Sequence, residues 1–241
     1  MKTRVLLLAS AIGLSVNAVA AAEPPIGSRL GERIQKDPQR KERDAALGAQ
    51  EMARCLVNKQ RATVRAFLGT TNEQEANRSG AKMSGELECF SMTEGNDLVE
   101  GRRVTFPQDL YRGMLSEWMI KTDLQAFSSL QSLPRQLTYS RDWYAVSARD
   151  PSVDEMATCV SEIAPQETLA LLKTLPYSDE EGSSFAALVP HLGECLRAGV
   201  KLTGNRQSLR AAVADALYQR VASPAPTPAV AAAPAQPTAA H

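Results

Sequence analysis

The chain has 241 residues, of which 44% are hydrophobic and 22% are charged, a composition typical of globular proteins. This length suffices for one domain or two small ones. The 27 basic and 27 acidic side chains balance, so the chain lacks the basic excess of nucleic-acid-binding proteins, and we expect no nucleic-acid partner.

The first 22 residues have the features of a signal peptide. Lys2 and Arg4 precede an apolar stretch at 5–16, and the small residues that follow fit an A-x-A cleavage site after Ala20 or Ala22. The apolar stretch is shorter than the roughly 20 residues that span a bilayer, and no later segment is long and apolar enough. We therefore predict export to the periplasm or the cell exterior, with no transmembrane segment in the mature chain. An uncleaved membrane anchor is the alternative.

Residues 23–44 form a charged lead-in to the predicted fold. Its densest part, "RLGERIQKDPQRKERD", interleaves basic residues with acidic ones, so that the charges largely cancel. This pattern favours a solvated helical segment over a basic arm that binds a partner.

The body of the chain contains a repeat. "EMARCLVNKQ" in the first copy matches "EMATCVSEIA" in the second, "GELECF" matches "HLGECL", and "YRGMLSEWM" matches "LRAAVADAL". The first two matches align Cys55 with Cys159 and Cys89 with Cys195. Three blocks in the same order predict a tandem duplication.

The two predicted units, residues 45–122 and 152–221, each have the apolar spacing of four helices. In the second unit, helix starts are indicated near Val153, Pro165, Ser178 and Arg206. The first unit shows its helices less clearly, because the polar stretch "TTNEQEANRSGAK" with Gly80 weakens the prediction before its third helix. We predict an all-α fold of two tandem small bundles, about four helices each, related by internal duplication.

Residues 123–151 connect the two units. The segment "LTYSRDWYAVSARD", at 137–150, is the one stretch whose pattern fits a short extended segment. Its Trp143–Tyr144 pair has two interpretations: a plug at the junction between packed domains, or an exposed contact for a ligand or partner. After the second unit, residues 222–241 are rich in Ala and Pro, which predicts a disordered tail.

The four cysteines are expected to form disulfides, because an exported chain folds in an oxidising compartment. Three pairings are possible, and a unit that was duplicated whole should have kept its own bridge, which selects Cys55–Cys89 and Cys159–Cys195. A zinc site is disfavoured because the cysteines stand alone and the chain has two histidines. A reactive thiol would need a nearby base. We predict no metal and no cofactor.

Four polar positions recur in both units, Thr70 with Thr174 among them. The other three are candidate site residues: Glu88 with Glu194, Arg112 with Arg210, and Glu117 with Asp215. One hypothesis pairs Glu88 with Arg112, and the equivalent Glu194 with Arg210, as struts between the third and fourth helices. The other places the recurring side chains around a polar cleft that binds a ligand. Recurrence favours the strut, because contacts that are needed for folding have to be kept in each copy.

The sequence contains no recognisable catalytic motif, neither a G-x-S-x-G elbow nor a Walker loop nor H-E-x-x-H. His191, outside the tail, lies among apolar residues at helical spacing and is predicted to pack. We therefore expect an exported binding or interaction protein whose partner is an envelope protein or a small ligand, with its site in the groove between the units. The alternative is a periplasmic hydrolase that uses paired carboxylates from the two repeats.

The motifs "MARC…LEC…LYRGMLSEWM" and "MATC…GEC…LRAAVADALY" resemble those of a group of uncharacterised exported bacterial proteins with a duplicated two-cysteine helical unit. The resemblance covers roughly residues 45–221. It implies export and the helical unit, and it implies no activity.

Overall fold

Residues 38–90, 107–197, 199–200 and 204–223 are described by a computed structural model of the chain. Every regular element among them is helical, which confirms the predicted all-α class. The predicted signal peptide, most of the charged lead-in and nearly all of the Ala/Pro tail lie outside these residues. None of the helices in the described residues is long and apolar enough to cross a membrane.

The first half of the described chain contains four α-helices. They are α1 (Pro38–Gly69), α2 (Glu73–Ser84), α3 (Gln108–Thr122) and the short α4 (Leu124–Ser128), with a 3₁₀ helix at Leu87–Phe90. The second half also contains four: α5 (Pro151–Ile163), α6 (Pro165–Lys173), α7 (Asp179–Cys195) and α8 (Arg206–Ala222), preceded by a 3₁₀ helix at Asp142–Val146.

Helix α1 is interrupted at Gln60, whose backbone angles are φ −129° and ψ 38°. Ala164, which separates α5 from α6, has φ −132° and ψ 57°. The sequence repeat aligns these two residues, because their separation equals that of Cys55 and Cys159. The two helix breaks therefore fall at positions that the predicted repeat aligns.

The polar stretch before the predicted third helix of the first half is itself a helix, so this part of the prediction was wrong. Asn72 caps α2 by accepting hydrogen bonds from the backbone amides of Gln74 and Glu75. Acidic residues in the first turn add to the favourable interaction with the helix dipole, and these effects outweigh the low helix propensity of Gly80. Ser178 caps α7 in the same way, from the aligned position.

The predicted extended segment at 137–150 contains no strand, which corrects that expectation. Its centre is the 3₁₀ helix Asp142–Val146, and Trp143 is only 5% exposed because it packs into the core of the second half. The Tyr144 ring meets the Trp143 ring edge-on, and its hydroxyl donates to Oγ1 of Thr158. The aromatic pair therefore packs inside this half.

Both predicted disulfides are present. Cys55 of α1 is bonded to Cys89 of the first 3₁₀ helix, with a Cα–Cα distance of 5.4 Å. Cys159 of α5 is bonded to Cys195 at the end of α7, at 5.7 Å. Each bridge joins the start of its half to a segment more than thirty residues later.

The core of the first half extends into the second half. Leu169 and Leu172 of α6 and Leu217 of α8 belong to the same buried cluster as the core of the first half. Helices α3 and α8 pack extensively against each other. The described residues from Arg40 onward form one compact unit.

Small residues allow α3 and α8 to approach closely. A Cβ atom added to Gly113 would lie 2.3 Å from the Cα of Ala211, which real atoms do not tolerate. The predicted repeat aligns these two residues, Gly113 and Ala211.

Candidate functional site

The recurring arginines are the largest side chains that are fully buried at the contact of α3 and α8. In α3, the Nε of Arg112 donates to Oδ2 of Asp215 in α8 at 3.1 Å. Its two terminal nitrogens donate to the backbone carbonyls of Phe67 and Leu68 at the end of α1, at 3.2 and 3.1 Å. Arg112 thus holds the end of α1 and α8 together.

Arg210 of α8 makes the corresponding contacts in the opposite direction. Its Nε and Nη2 donate to the two carboxylate oxygens of Glu117 in α3, at 2.9 and 2.7 Å. Its Nη1 donates to Glu181 of α7 at 2.9 Å. Its Nη2 also donates to the backbone carbonyls of Leu172 and Thr174 at the end of α6.

The two arginines therefore exchange partners between the halves. Arg112 is aligned with Arg210 and Glu117 with Asp215, so each arginine binds the carboxylate that belongs to the other half. This reciprocity is the arrangement of an isologous interface, in which residue i contacts j and j contacts i.

The hypothesis that Glu88 pairs with Arg112, and Glu194 with Arg210, was wrong. The Glu88 side chain is 77% exposed and contacts Lys59 of α1. The Glu194 side chain is 62% exposed, and its nearest ionisable contact is Nδ1 of His191 at 4.0 Å. Sequence alignment shows which positions are equivalent, but it carries no information on whether a pair forms within a copy or between copies.

A third buried arginine, which the sequence did not indicate, completes the network. The Nε of Arg149 donates to Asp154 at 2.7 Å, and its Nη2 donates to Asp215 at 2.5 Å. Its Nη1 donates to the backbone carbonyl of Asp109 at 3.1 Å. Arg149 was not among the predicted site residues because those were chosen by recurrence, and the predicted repeat aligns Arg149 with Ala45.

Glu117 has further partners of its own. Nζ of Lys121 lies 2.6 Å from one carboxylate oxygen, and Nε2 of Gln50 donates to the other at 3.0 Å. Glu181 is a partner that the repeat could have revealed, because Glu75 occupies the aligned position three residues after the capping residue of α2. There Glu75 accepts a hydrogen bond from Thr70 rather than from an arginine.

The surroundings keep the two central carboxylates ionised. Burial alone would raise the pKa of Asp215, but the charges of Arg112 and Arg149 lower it to about 2. Burial opposes ionisation of Glu117 as well, and Arg210 with Lys121 holds its pKa below the usual value. At Asp154 burial dominates, so its pKa is raised although Arg149 opposes the shift.

This network is poorly suited to proton transfer. A general acid or base has to reach its substrate within hydrogen-bond distance, whereas Glu117 and Asp215 are buried and bound to arginines. Within the described residues, no group of three or more His, Cys, Asp or Glu side chains is placed to hold a metal ion. The ion pairs of the network hold one half of the chain against the other.

A cleft of about 350 Å³ opens beside the network, where α3, α5 and α8 begin. Val153, Met156 and Leu209 contribute apolar surface, and the buried Arg149 side chain forms part of the wall. The lining also includes the acidic residues Asp109 and Asp150 and the hydroxyl-bearing residues Ser152 and Ser208. Ala148 also lines the cleft and has a positive φ of 59°, a conformation that L-residues other than Asn and Asp seldom adopt.

The remaining predicted site residues lie around this arrangement. Trp143 is buried beneath Arg149, whose guanidinium carbon is 5.9 Å from the ring centroid. Tyr144 is half-buried, and burial raises the pKa of its hydroxyl to about 12. Arg112 and Arg210 lie in the interior rather than along an open groove.

Comparison of the chain with protein-family models, with curated proteins and with solved structures returned no match.

Proposed function

We propose that the protein is an exported helical binding module, built by tandem duplication, whose ligand site is the cleft at the start of α3, α5 and α8. The observation that carries this proposal is that the polar residues fall into two groups, one paired in the interior and one lining the cleft. The recurring charged groups neutralise one another in the interior, whereas the cleft beside them presents an apolar surface and polar groups to solvent. Such a combination is typical of small-molecule sites.

The duplication is supported by local geometry as well as by the sequence repeat. Gln60 and Ala164 break their helices at aligned positions, and Asn72 and Ser178 are aligned capping residues. Helices α3 and α8 begin at aligned residues, and their arginines exchange aligned partners. Two copies of one unit that once paired as a homodimer would produce this set of correspondences.

Export is supported by the two disulfides and by the predicted signal peptide. Disulfides persist in oxidising compartments, and both bridges are compatible with one. The resemblance to exported bacterial proteins agrees with this location. We propose the periplasm or the cell exterior, and an envelope component as the source of the ligand.

The alternative function, a hydrolase with paired carboxylates, finds less support. Such enzymes place two accessible carboxyl groups on either side of the bond to be cleaved. Glu117 and Asp215 are buried against arginines, whereas Glu88 and Glu194 are exposed on other elements. Groups that are paired off in this way favour the binding module.

The proposal is tested by thermal unfolding of the mature chain in the presence of small-molecule fractions from a bacterial envelope extract. We expect at least one fraction to raise the unfolding midpoint, because a ligand that binds only the folded state stabilises it. Ser208→Phe should abolish the shift, since the ring would fill the cleft. Ser183→Phe, on the exposed surface of α7, is the matched control and should retain it. If no fraction acts, or if Ser208→Phe responds like the wild type, the cleft is not the site.

A further inference from the structure

We propose that the cleft binds a small organic cation, an amine attached to a short apolar chain. This inference rests on the proposed binding function and adds the chemical class of the ligand. It follows from the charge that remains uncompensated in the cleft, from the apolar surface beside it, and from the way the two halves differ.

The charge of Arg149 is already neutralised by two buried carboxylates. Asp154 and Asp215 lie 2.7 and 2.5 Å from its nitrogens, and both carboxylates are fully buried. The charged groups that remain for a ligand are therefore Asp109 and Asp150. Asp150 caps α5 through one carboxylate oxygen, whereas the Asp109 side chain has no hydrogen-bond or ion-pair partner in the described part of the chain.

An apolar surface lies next to these carboxylates. Val153 and Leu209 are half-buried and apolar, and the fully buried Met156 also lies in the lining. The volume is at the lower end of the range for small-molecule sites. An alkyl chain of a few carbons on these side chains would bring an attached ammonium group to the acidic rim.

The same positions of the first half lack this arrangement. Tyr111 replaces Leu209, and its ring packs edge-on against Phe67 at 5.7 Å. Gln207 occupies the position in α8 that aligns with Asp109 in α3. The aligned positions therefore do not reproduce the acidic and apolar lining of the cleft.

The competing expectation is an anionic ligand. Helix N-termini attract negative charge, and three helices begin at the cleft. However, Asp150 and Asn205 already cap α5 and α8, and Asp109 adds a carboxylate in the first turn of α3. A matched series of ligands distinguishes the two outcomes.

The test measures binding of butylammonium, butyrate and 1-butanol to the full mature chain by saturation-transfer NMR at low ionic strength. We expect butylammonium to bind with a dissociation constant on the order of millimolar, and the other two not to bind. Asp109→Asn should weaken butylammonium binding about three- to tenfold, and Ser208→Phe should remove it. Asp179→Asn, which removes a first-turn carboxylate from α7 outside the cleft, should bind as the wild type does.

Each other result overturns the inference. Binding of butyrate or butanol that Ser208→Phe abolishes would leave the binding function standing but give the wrong ligand class. Butylammonium binding that is equal in Asp109→Asn and wild type would place the cation elsewhere, provided that both variants have the unfolding midpoint of a folded chain. Absence of any probe binding, together with an active extract fraction, would reject the amine class while the binding function survives.

Discussion

Asp215 shows how this protein uses buried charge. Its carboxylate is fully inaccessible to solvent and accepts hydrogen bonds from two arginines and from the hydroxyl of Ser116. Removing charges from water costs several kcal/mol per ion, so such a pair contributes little net stability compared with apolar residues. Its effect is specificity, because α8 can satisfy Arg112 only in one position against α3.

Loss of this carboxylate should be costly. Asp215→Asn is expected to lower the free energy of unfolding at pH 7 by about 3–5 kcal/mol, because it leaves Arg112 and Arg149 buried with one fewer counter-charge. Urea denaturation followed by circular dichroism measures this. Asp179→Asn, at an exposed position, should change stability by less than about 0.5 kcal/mol. Equal stability of the two variants would contradict the importance of the buried pair.

The same residue makes stability depend on pH. The pKa of Asp215 is about 2 in the folded chain and about 3.9 in an unfolded one, so its contribution is present above the unfolded value and is lost as pH falls towards 2. The difference is worth about 2–3 kcal/mol. The stability gap between wild type and Asp215→Asn should therefore narrow between about pH 5 and 2.

The raised pKa of Asp154 acts in the opposite direction, and the charge of Asp215 contributes to that shift, so the comparison with Asp215→Asn reports on the two coupled carboxylates together. Unfolding curves at several pH values provide the measurement. A gap that stays constant down to pH 2 would show that Asp215 is not the titrating group.

At the scale of elements, the contact of α3 with α8 depends on the absence of a side chain at one position. Gly113 faces the backbone of Ala211 so closely that even a methyl group has no space. Glycine inside a helix is unfavourable for helix stability. Here its lack of a side chain allows the close approach that brings the arginines to their partners.

Gly113→Ala is expected to destabilise the fold by about 1–3 kcal/mol, although alanine favours a helix more than glycine does. The control is Gly182→Ala in α7, where an added Cβ meets nothing within 4 Å. That variant should be neutral or more stable by up to about 1 kcal/mol. Thermal melts of both variants decide the matter. If Gly113→Ala were as stable as Gly182→Ala, the two helices would be able to separate without cost.

The helices of the second half were predictable because their signals are local. Proline at the first turn marks α5 and α6, and Ser178 with Glu181 marks α7. The helix α2 and the 3₁₀ helix at 142–146 were not predictable from apolar spacing. The first is mostly polar, buries Ala76 and Met83, and is capped by Asn72. The second is set by burial of Trp143 in a core assembled from distant segments.

The site was predictable only where the repeat emphasised it. Recurrence identified Arg112 and Arg210 together with Glu117 and Asp215, yet their partners depend on how the halves pack. Arg149 and the cleft residues do not recur, so no pattern in a single sequence distinguished them from surface polar residues.

At the scale of the whole molecule, the halves should unfold together because they share a core and a buried network. The two tryptophans report on them separately, since Trp118 packs at the first core and Trp143 lies within the second. Trp143→Phe leaves Trp118 as the fluorescent reporter, and Trp118→Phe leaves Trp143. Within each variant, the urea midpoint measured by fluorescence should equal the midpoint measured by circular dichroism. Fluorescence midpoints that differ from the circular-dichroism midpoint would indicate two independently folding bundles.

The exchanged arginine partners also constrain how the sequence can diverge. A substitution at Arg112 can be compensated at Asp215, 103 residues away, and one at Glu117 can be compensated at Arg210, 93 residues away. In each pair the two partners belong to different halves. Related sequences should therefore covary between positions 112 and 215 and between 117 and 210. A substitution in either half that alters one of these charges should therefore be tolerated best when the other half changes with it.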